Sequence, residues 1–317
     1  MKKLTLALIS GGISSEREVS LNSGKQVFDA LDKDKYSIIH YDPKTDISAL
    51  VADAPKIDAA LIILHGPYGE DGTIQGLLDL LNIPYQGSGV LGSAIAMNKN
   101  VAKQLYERAG MVVPPYLVVK KDQQEIFNTD IKKLGMPLVV KPVRSGSSVG
   151  MSVVKSEDAL KSALEKGFQE DDTVLIESYI EGVEITGGVI GNNELEALPL
   201  IEIIPDKKHD FFDYEAKYTQ GVTQEICPAR INSFLTERAQ LYAKTAHNAL
   251  FCLGYSRTDM IVKDNEIYVL ETNTIPGMTE TSLLPQAAKV AGYSFTILLD
   301  QLIRLGIEAR QRGGIYE

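Results

Sequence analysis

Between residues 257 and 277 the chain gathers Arg257, Asp259, Glu271 and Asn273 around two apolar runs, Met260 to Val262 and Ile267 to Leu270, that flank the turn-forming pair Asp264-Asn265. The pattern predicts a β-hairpin. Folded there, it sets Asp259 nearly opposite Glu271, and the alternation of side chains puts Glu271 and Asn273 on one face. Three oxygen-bearing side chains then converge at the open end. Hard oxygens suit Mg²⁺, an ion that keeps water or phosphate in its other positions and is the usual grip on a nucleoside triphosphate. A lone Asp or Glu at a strand end is more often a solvated charge, but Arg257 and the Pro276-Gly277 turn crowd the same end and favour a site.

Other residues could serve polyphosphate. Residues 137 to 154 read as two apolar strands around a small-residue loop, 143 to 149, whose backbone N–H groups and hydroxyls can wrap phosphate oxygens, with Lys141 at its base. The loop does not lead into a helix and lacks G-K-[ST], so it is not a Walker loop. Lys99 falls in the first turn of a helix predicted over Asn98 to Arg108, against the helix dipole, which hints at a bound anion. Glu177 and Glu184, around the end of a strand, could accept hydrogen bonds from adenine and ribose. His65 opens a loop at the carboxyl end of a strand, where ligands gather in open α/β sheets. Glu16 lies at a helix start, where compensation of the dipole is the simpler account. Residues 205 to 230 lack a clear period but carry Phe211, Phe212, Tyr214 and Tyr218. That combination reads as a lid bringing Lys217 and Tyr218 to the site.

The elements that must position these groups follow from periodicity. An apolar strand over 4 to 9 ends in Gly11-Gly12, and Ser15 with Glu18 makes a capping-box signature for a helix running to about Leu31. Strands at 37 to 41 and 59 to 64 and a helix at 73 to 81 complete an α/β unit without G-x-G-x-x-G, which disfavours a dinucleotide-binding dehydrogenase. Further helices are expected at 123 to 134, 233 to 251, 283 to 291 and 295 to 311, and further β-runs at 184 to 190 and 195 to 203. The last helix has an apolar face of Phe295, Leu298, Leu299, Leu302 and Ile303. The implied division is an N-terminal α/β domain over 1 to 96, a central part over 97 to 182, and a C-terminal part over 183 to 317.

Composition bounds the function. The 317 residues are 44% hydrophobic and 23% charged, with 42 acidic against 32 basic side chains, net charge -10. That balance argues against nucleic acid or an anionic membrane as partner. Two cysteines, Cys227 and Cys252, without metal-type spacing, fit a reducing cytoplasm. The opening apolar run stops at Ser10-Gly11-Gly12 and is followed by Glu16, Arg17 and Glu18, which suits a first strand better than a signal peptide.

Six strings, in order, carry a resemblance that spans the chain: GGISSEREVS (11–20), HGPYGEDGT (65–73), KPVRSGSSVGM (141–151), FFDYEAKY (211–218), SRTD (256–259) and LETNTIPGMTETSLLP (270–285). Together they resemble the ATP-grasp superfamily and, more narrowly, the bacterial D-alanine:D-alanine ligases. The resemblance implies an open parallel-sheet domain followed by a two-subdomain ATP-grasp fold, and a ligation of two D-alanines through a D-alanyl phosphate. It implies two Mg²⁺ (or Mn²⁺) on Asp259, Glu271 and Asn273, with Glu271 bridging. ATP would be held by Lys99, Lys141, Ser147, Ser148, Glu177, Glu184 and Lys217. Arg257 and the Gly277 amide would hold the oxyanion, Glu16 the first substrate's ammonium with His65 nearby, and Ser282 with the Leu283 amide the second substrate's carboxylate. Glu16, Ser147 and Tyr218 would form a set linking lid to first domain, and the tyrosine distinguishes the dipeptide-forming type from D-lactate ligases. The family suggests a homodimer. Thr272, Ile275 and Ser145 depart from common family residues, none at a proposed ligand. The remaining alternatives are another second substrate, or a nucleotide-binding regulator without turnover.

Overall fold

A computed structural model describes residues 3–122, 128–146, 149–205 and 223–312. Strand β1 (Leu4–Ser10) lies between β2 (Tyr36–Tyr41) and β3 (Ala59–Ile63), all parallel. Parallel neighbours need crossovers, here α1 (Arg17–Ala30) and α2 (Ile47–Asp53). Strands β1 and β3 read as nearly continuous apolar runs because both of their faces are buried. Helices α3 (Thr73–Leu80), α4 (Val90–Met97) and α5 (Lys99–Arg108) follow.

A four-stranded antiparallel sheet comes next, in the order β4 (Tyr116–Lys120), β7 (Thr173–Ser178), β5 (Leu138–Pro142), β6 (Ser152–Val154). It is accompanied by α6 (Asn128–Leu134) and α7 (Glu157–Glu170). The last sheet is also antiparallel and runs β11 (Thr223–Ile226), β10 (Ile201–Pro205), β8 (Val183–Ile190), β12 (Tyr255–Lys263), β13 (Glu266–Asn273), with β9 (Glu196–Ala197) on β8. Helix α8 (Ser233–Ala249) backs it, and α9 (Leu283–Val290) and α10 (Phe295–Arg312) end the chain.

The hairpin β12–β13 forms as expected. Asp264 and Asn265 take φ of 51° and 63°, the left-handed pair of a two-residue hairpin turn that Asp and Asn tolerate. Asp259 pairs with Glu271, and the register slips by one residue immediately after it. A bulge of this kind bends the strand and re-aims side chains beside a site.

Three expectations change. Ser15 does not cap α1: Glu16 is the N-cap, without a side-chain hydrogen bond, and the Ser14 hydroxyl receives the Glu16 N–H while donating to the His65 carbonyl. The loop is thereby tied to the end of β3, a bond no local pattern announces. Helices α2, α4 and α7 were not expected; α4 is only eight residues long, and Gly92 within it lets the helix lie against the Phe251 carbonyl, where a Cβ would stand at 2.6 Å. The run expected over 195 to 203 divides into β9 and β10. Residues 206–222, most of the expected lid, and the start of the helix expected at 123 lie outside the described residues.

The apolar face of α10 does more than close the C-terminal part. Leu298, Leu299, Leu302 and Ile303 are buried in one cluster with Leu6, Leu8, Leu61 and Ile63 of the first sheet and with Leu283 and Leu284 of α9. The chain's end thus covers a face of its beginning.

Candidate active site

Two compartments of about 490 Å³ each open between the sheets and share a wall made by Lys99, Ser145 and Glu271. The first is lined by Glu16, His65, Arg257, Gly277, Ser282 and Leu283, the second by Lys141, Glu177, Glu184 and Asp259. The residues expected to meet amino acid and nucleotide are therefore sorted into adjoining spaces. Ser147, Ser148, Lys217 and Tyr218 lie outside the described residues.

In the first compartment, Glu16 is 4% exposed although it stands at a helix start, so it is more than a solvated dipole partner. A Cβ on Gly66 would come within 3.0 Å of its Oε2, and one on Gly146 of the small-residue loop within 3.5 Å. His65 is buried, and its Nε2 has no hydrogen-bond partner among the described residues. Burial above all, with the Arg257 charge, pushes its pKa down against the pull of Glu16, which favours the uncharged ring. Glu70 hangs below: its Oε2 accepts the Gly66 N–H at 2.6 Å, and burial, then the neighbouring Glu16 charge, raise its carboxyl to about 8.

Arg257 and Asp259 alternate along β12 and so share a face. The guanidinium forks onto Asp259, Nε to Oδ1 and Nη2 to Oδ2 at 2.9 Å each, while the Thr186 hydroxyl donates to Oδ1 at 2.6 Å. The Asn273 amide reaches Asp259 Oδ2 at 3.4 Å. At the far end of the compartment, Ser282 is the N-cap of α9, yet its hydroxyl accepts the Thr279 N–H at 3.0 Å instead of capping. The first amides of α9, Leu283 among them, have no partner within the helix and lie at the positive end of its dipole, an arrangement that could hold an anion. Gly277 packs close to Ser282: a Cβ there would lie 3.0 Å from its Oγ.

In the second compartment, Lys99 keeps its place at the start of α5, with its ammonium on the Ser145 carbonyl and 3.8 Å from Glu271 Oε2. Lys141 stands at the base of the loop as expected. Glu177 lines this space too, and its carboxylate stands between two ammonium groups, with Oε1 2.8 Å from Lys103 Nζ and Oε2 2.9 Å from Lys141 Nζ. Glu184, near the start of β8, lines the same space.

The donor set at the hairpin suits a hard cation. Asp259 and Glu271 face each other across the ladder beside a space wide enough for phosphate, and Asn273, which lines the adjoining compartment, sets its side-chain amide 3.4 Å from Asp259 Oδ2. Among the described residues no cluster of three His, Cys, Asp or Glu side chains is arranged to hold a metal alone. An ion here would complete its shell with water and phosphate, as Mg²⁺ does.

Sequence reasoning missed Glu70, Thr186 and Lys103. Lys103 had a faint signal, since it follows Lys99 by four residues and shares its helix face. The other two are brought in by loop geometry and by strand pairing between β8 and β12.

Comparisons with known proteins agree with this arrangement. Two family models match, "D-ala D-ala ligase N-terminus" over residues 43–88 and "D-ala D-ala ligase C-terminus" over residues 105–304. The D-alanine--D-alanine ligase of Syntrophobacter fumaroxidans is 62% identical over 307 residues, 97% of this chain and 99% of the relative. The crystal structure of the Bacillus anthracis D-alanine--D-alanine ligase complexed with ATP superimposes with a TM-score of 0.85 at 38% identity, covering 98% of this chain and 99% of that one. The VanG D-Ala:D-Ser ligase of Enterococcus faecalis gives 0.84 at 35% identity, covering 96% and 100%. Its three sheets in this order, its paired compartments and the extent of these matches place the chain in the D-alanine:D-alanine ligase family, with that family's ATP-grasp fold.

Proposed function

We propose that the chain joins two D-alanine molecules into D-alanyl-D-alanine, using ATP, for the building of peptidoglycan precursors. A carboxylate oxygen of the first D-alanine takes the γ-phosphoryl group and ADP leaves. The amine of the second, having lost its proton, attacks the acyl carbon, and inorganic phosphate departs as the amide forms. The observation that carries this reading is the shared wall: Lys99 and Glu271 border both compartments, so a carboxylate in one can meet a terminal phosphate in the other.

Phosphoryl transfer asks for alignment and charge neutralisation more than covalent help. Lys99, Lys141 and Lys217 supply positive charge, and the phosphate loop with Ser147 and Ser148 supplies donors. Asp259, Glu271 and Asn273 hold two Mg²⁺ (or Mn²⁺), which when bound neutralise the phosphate charge as it develops. Glu16 receives the first substrate's ammonium with His65 and Glu70 beside it, and Ser282 with the Leu283 amide receives the second substrate's carboxylate. Arg257, once its fork is freed from Asp259, and the Gly277 amide stabilise the oxyanion of the tetrahedral intermediate, donors worth about 3 kcal/mol each. Glu177 and Glu184 serve as acceptors for adenine and ribose. Domain limits near residues 96 and 182, work in the cytoplasm and a homodimer complete the proposal. No single described helix is long and apolar enough to cross a membrane.

Phosphate release is to be measured with ATP and Mg²⁺ and with D-alanine, L-alanine, or D-alanine plus D-lactate, with product masses read from the same reactions. Release that requires D-alanine and yields its dipeptide supports the proposal, whereas mainly ester in the D-lactate reaction overturns the choice of second substrate. ATP binding without release on any acid would point to the regulator. Tyr218→Phe is expected to raise ester relative to dipeptide; an unchanged ratio removes Tyr218 from substrate choice.

A further inference from the structure

Lys103 is fully buried on α5, and the proposed reaction gives it no task. Its Nζ meets Glu177 Oε1 at 2.8 Å, and Glu177 Oε2 meets Lys141 Nζ at 2.9 Å. Side-chain exposure rises along this chain from 0% at Lys103 to 3% at Glu177 and 10% at Lys141. The cluster is thus a relay from the interior to the nucleotide compartment, which Lys141 and Glu177 line and Lys103 does not. Of the other groups around Lys103, the Tyr116 ring has its centroid 5.3 Å from the ammonium, and the exposed Glu107 carboxylate receives the Tyr116 hydroxyl. Solvent screens Glu107 far more than it screens the buried pair.

Charge arithmetic gives Lys103 a purpose. A lone Glu177–Lys141 pair would be neutral, and Lys141 would have little field to offer a polyphosphate. A carboxylate shared by two ammoniums cannot cancel both, so the three groups together carry one positive charge, and Lys141 is the cation among them that faces the compartment. Buried charges interact strongly enough for this count to matter. We propose that Lys103 is a positioning residue for the nucleotide: by holding one oxygen of Glu177 it fixes the carboxylate that aims Lys141 and leaves Lys141 with positive charge to present to the phosphates. The inference rests on the reading of Lys141 as a phosphate contact, and its test separates the two.

The test is isothermal titration with adenylyl imidodiphosphate and Mg²⁺. Lys103→Met is expected to raise the nucleotide Kd about tenfold, while the KM for D-alanine at saturating ATP stays the same. In a Glu177→Gln background, where no carboxylate is left to cancel Lys141, adding Lys103→Met should change the affinity little relative to Glu177→Gln alone. Unchanged affinity in Lys103→Met, or the same loss in the Glu177→Gln background, overturns the proposal, since lost packing alone would cost as much in both. Lys141→Met binding nucleotide as tightly as the unaltered protein would instead overturn the reading of Lys141. Should Lys103→Met not fold, the unaltered protein and the double variant suffice. Burial pushes the Lys103 ammonium down to about 8 against the pull of Glu177, so nucleotide affinity should fall as pH rises through 8 to 9. The double variant should lack that fall, and parallel pH profiles would overturn the proposal.

Discussion

Asp259 and Arg257 hold each other through two parallel hydrogen bonds, and the same carboxylate is the one offered to a cation. On the proposed reading the guanidinium fork and a cation would compete for it, so that loading the site would also free Arg257 for the oxyanion. Asp259→Asn is expected to lower phosphate release at least about a hundredfold, on the order of 3 kcal/mol in the barrier. Retention of most activity would contradict the cation assignment. Glu70 makes a second prediction at this scale. Its carboxyl is raised to about 8 in the fold against an ordinary value of 4.5, so the unfolded chain gives up the proton first and stability drains as pH rises from about 4.5 to 8. Glu70→Gln keeps an acceptor for the Gly66 N–H without the buried acid. It should gain up to about 3 kcal/mol near pH 7 and nothing near pH 4. Urea unfolding at both values checks this, and an equal gain at both would remove Glu70 as the source.

Among the elements, the hairpin was the most legible, because alternation sets which residues share a face and the Asp264-Asn265 pair suits only a tight turn. What holds it from behind was not. His247, near the end of α8, sets its Nδ1 2.8 Å from the Ser256 hydroxyl at the start of β12, and both are fully buried. Burial pushes the imidazole down to about 4, below its ordinary 6.5. The unfolded chain takes up the proton first, so this contribution is intact above pH 6.5 and is lost as pH falls toward 4. The loss amounts to about 3 kcal/mol by linkage. His247→Gln should flatten that acid limb of stability, measured by urea midpoints from pH 7 to 4.5. An unchanged limb would place the acid sensitivity elsewhere.

For the whole molecule, the decisive feature is the return of α10 to the first sheet. One cluster contains Leu6 and Leu8 from the beginning of the chain and Leu302 and Ile303 from near its end, all at most 2% exposed. Leu302→Ala should cost about 3 kcal/mol through lost burial and the cavity left behind. Because the cluster joins first sheet and last helix, the loss should shift a single unfolding transition. Tyrosine fluorescence and far-ultraviolet circular dichroism should report the same midpoint. Two separated transitions would show that the first sheet unfolds independently of α10.

The sequence by itself determined the pieces whose chemistry is local. These are the oxygen donors of the hairpin, Lys99 at a helix start, Lys141 beneath a small-residue loop, and, through six strings in register, the family. Strand alternation and turn chemistry act over a few residues, so they can be read without the fold. Only the tertiary structure decided the partners. It set Glu177 between Lys103 and Lys141, hung Glu70 beside Glu16, brought Thr186 to Asp259 across a strand pair, and laid α10 against β1 and β3. An apolar face or a buried charge states in sequence that it needs a partner, but packing among distant segments selects which one, and that selection carries no local periodicity.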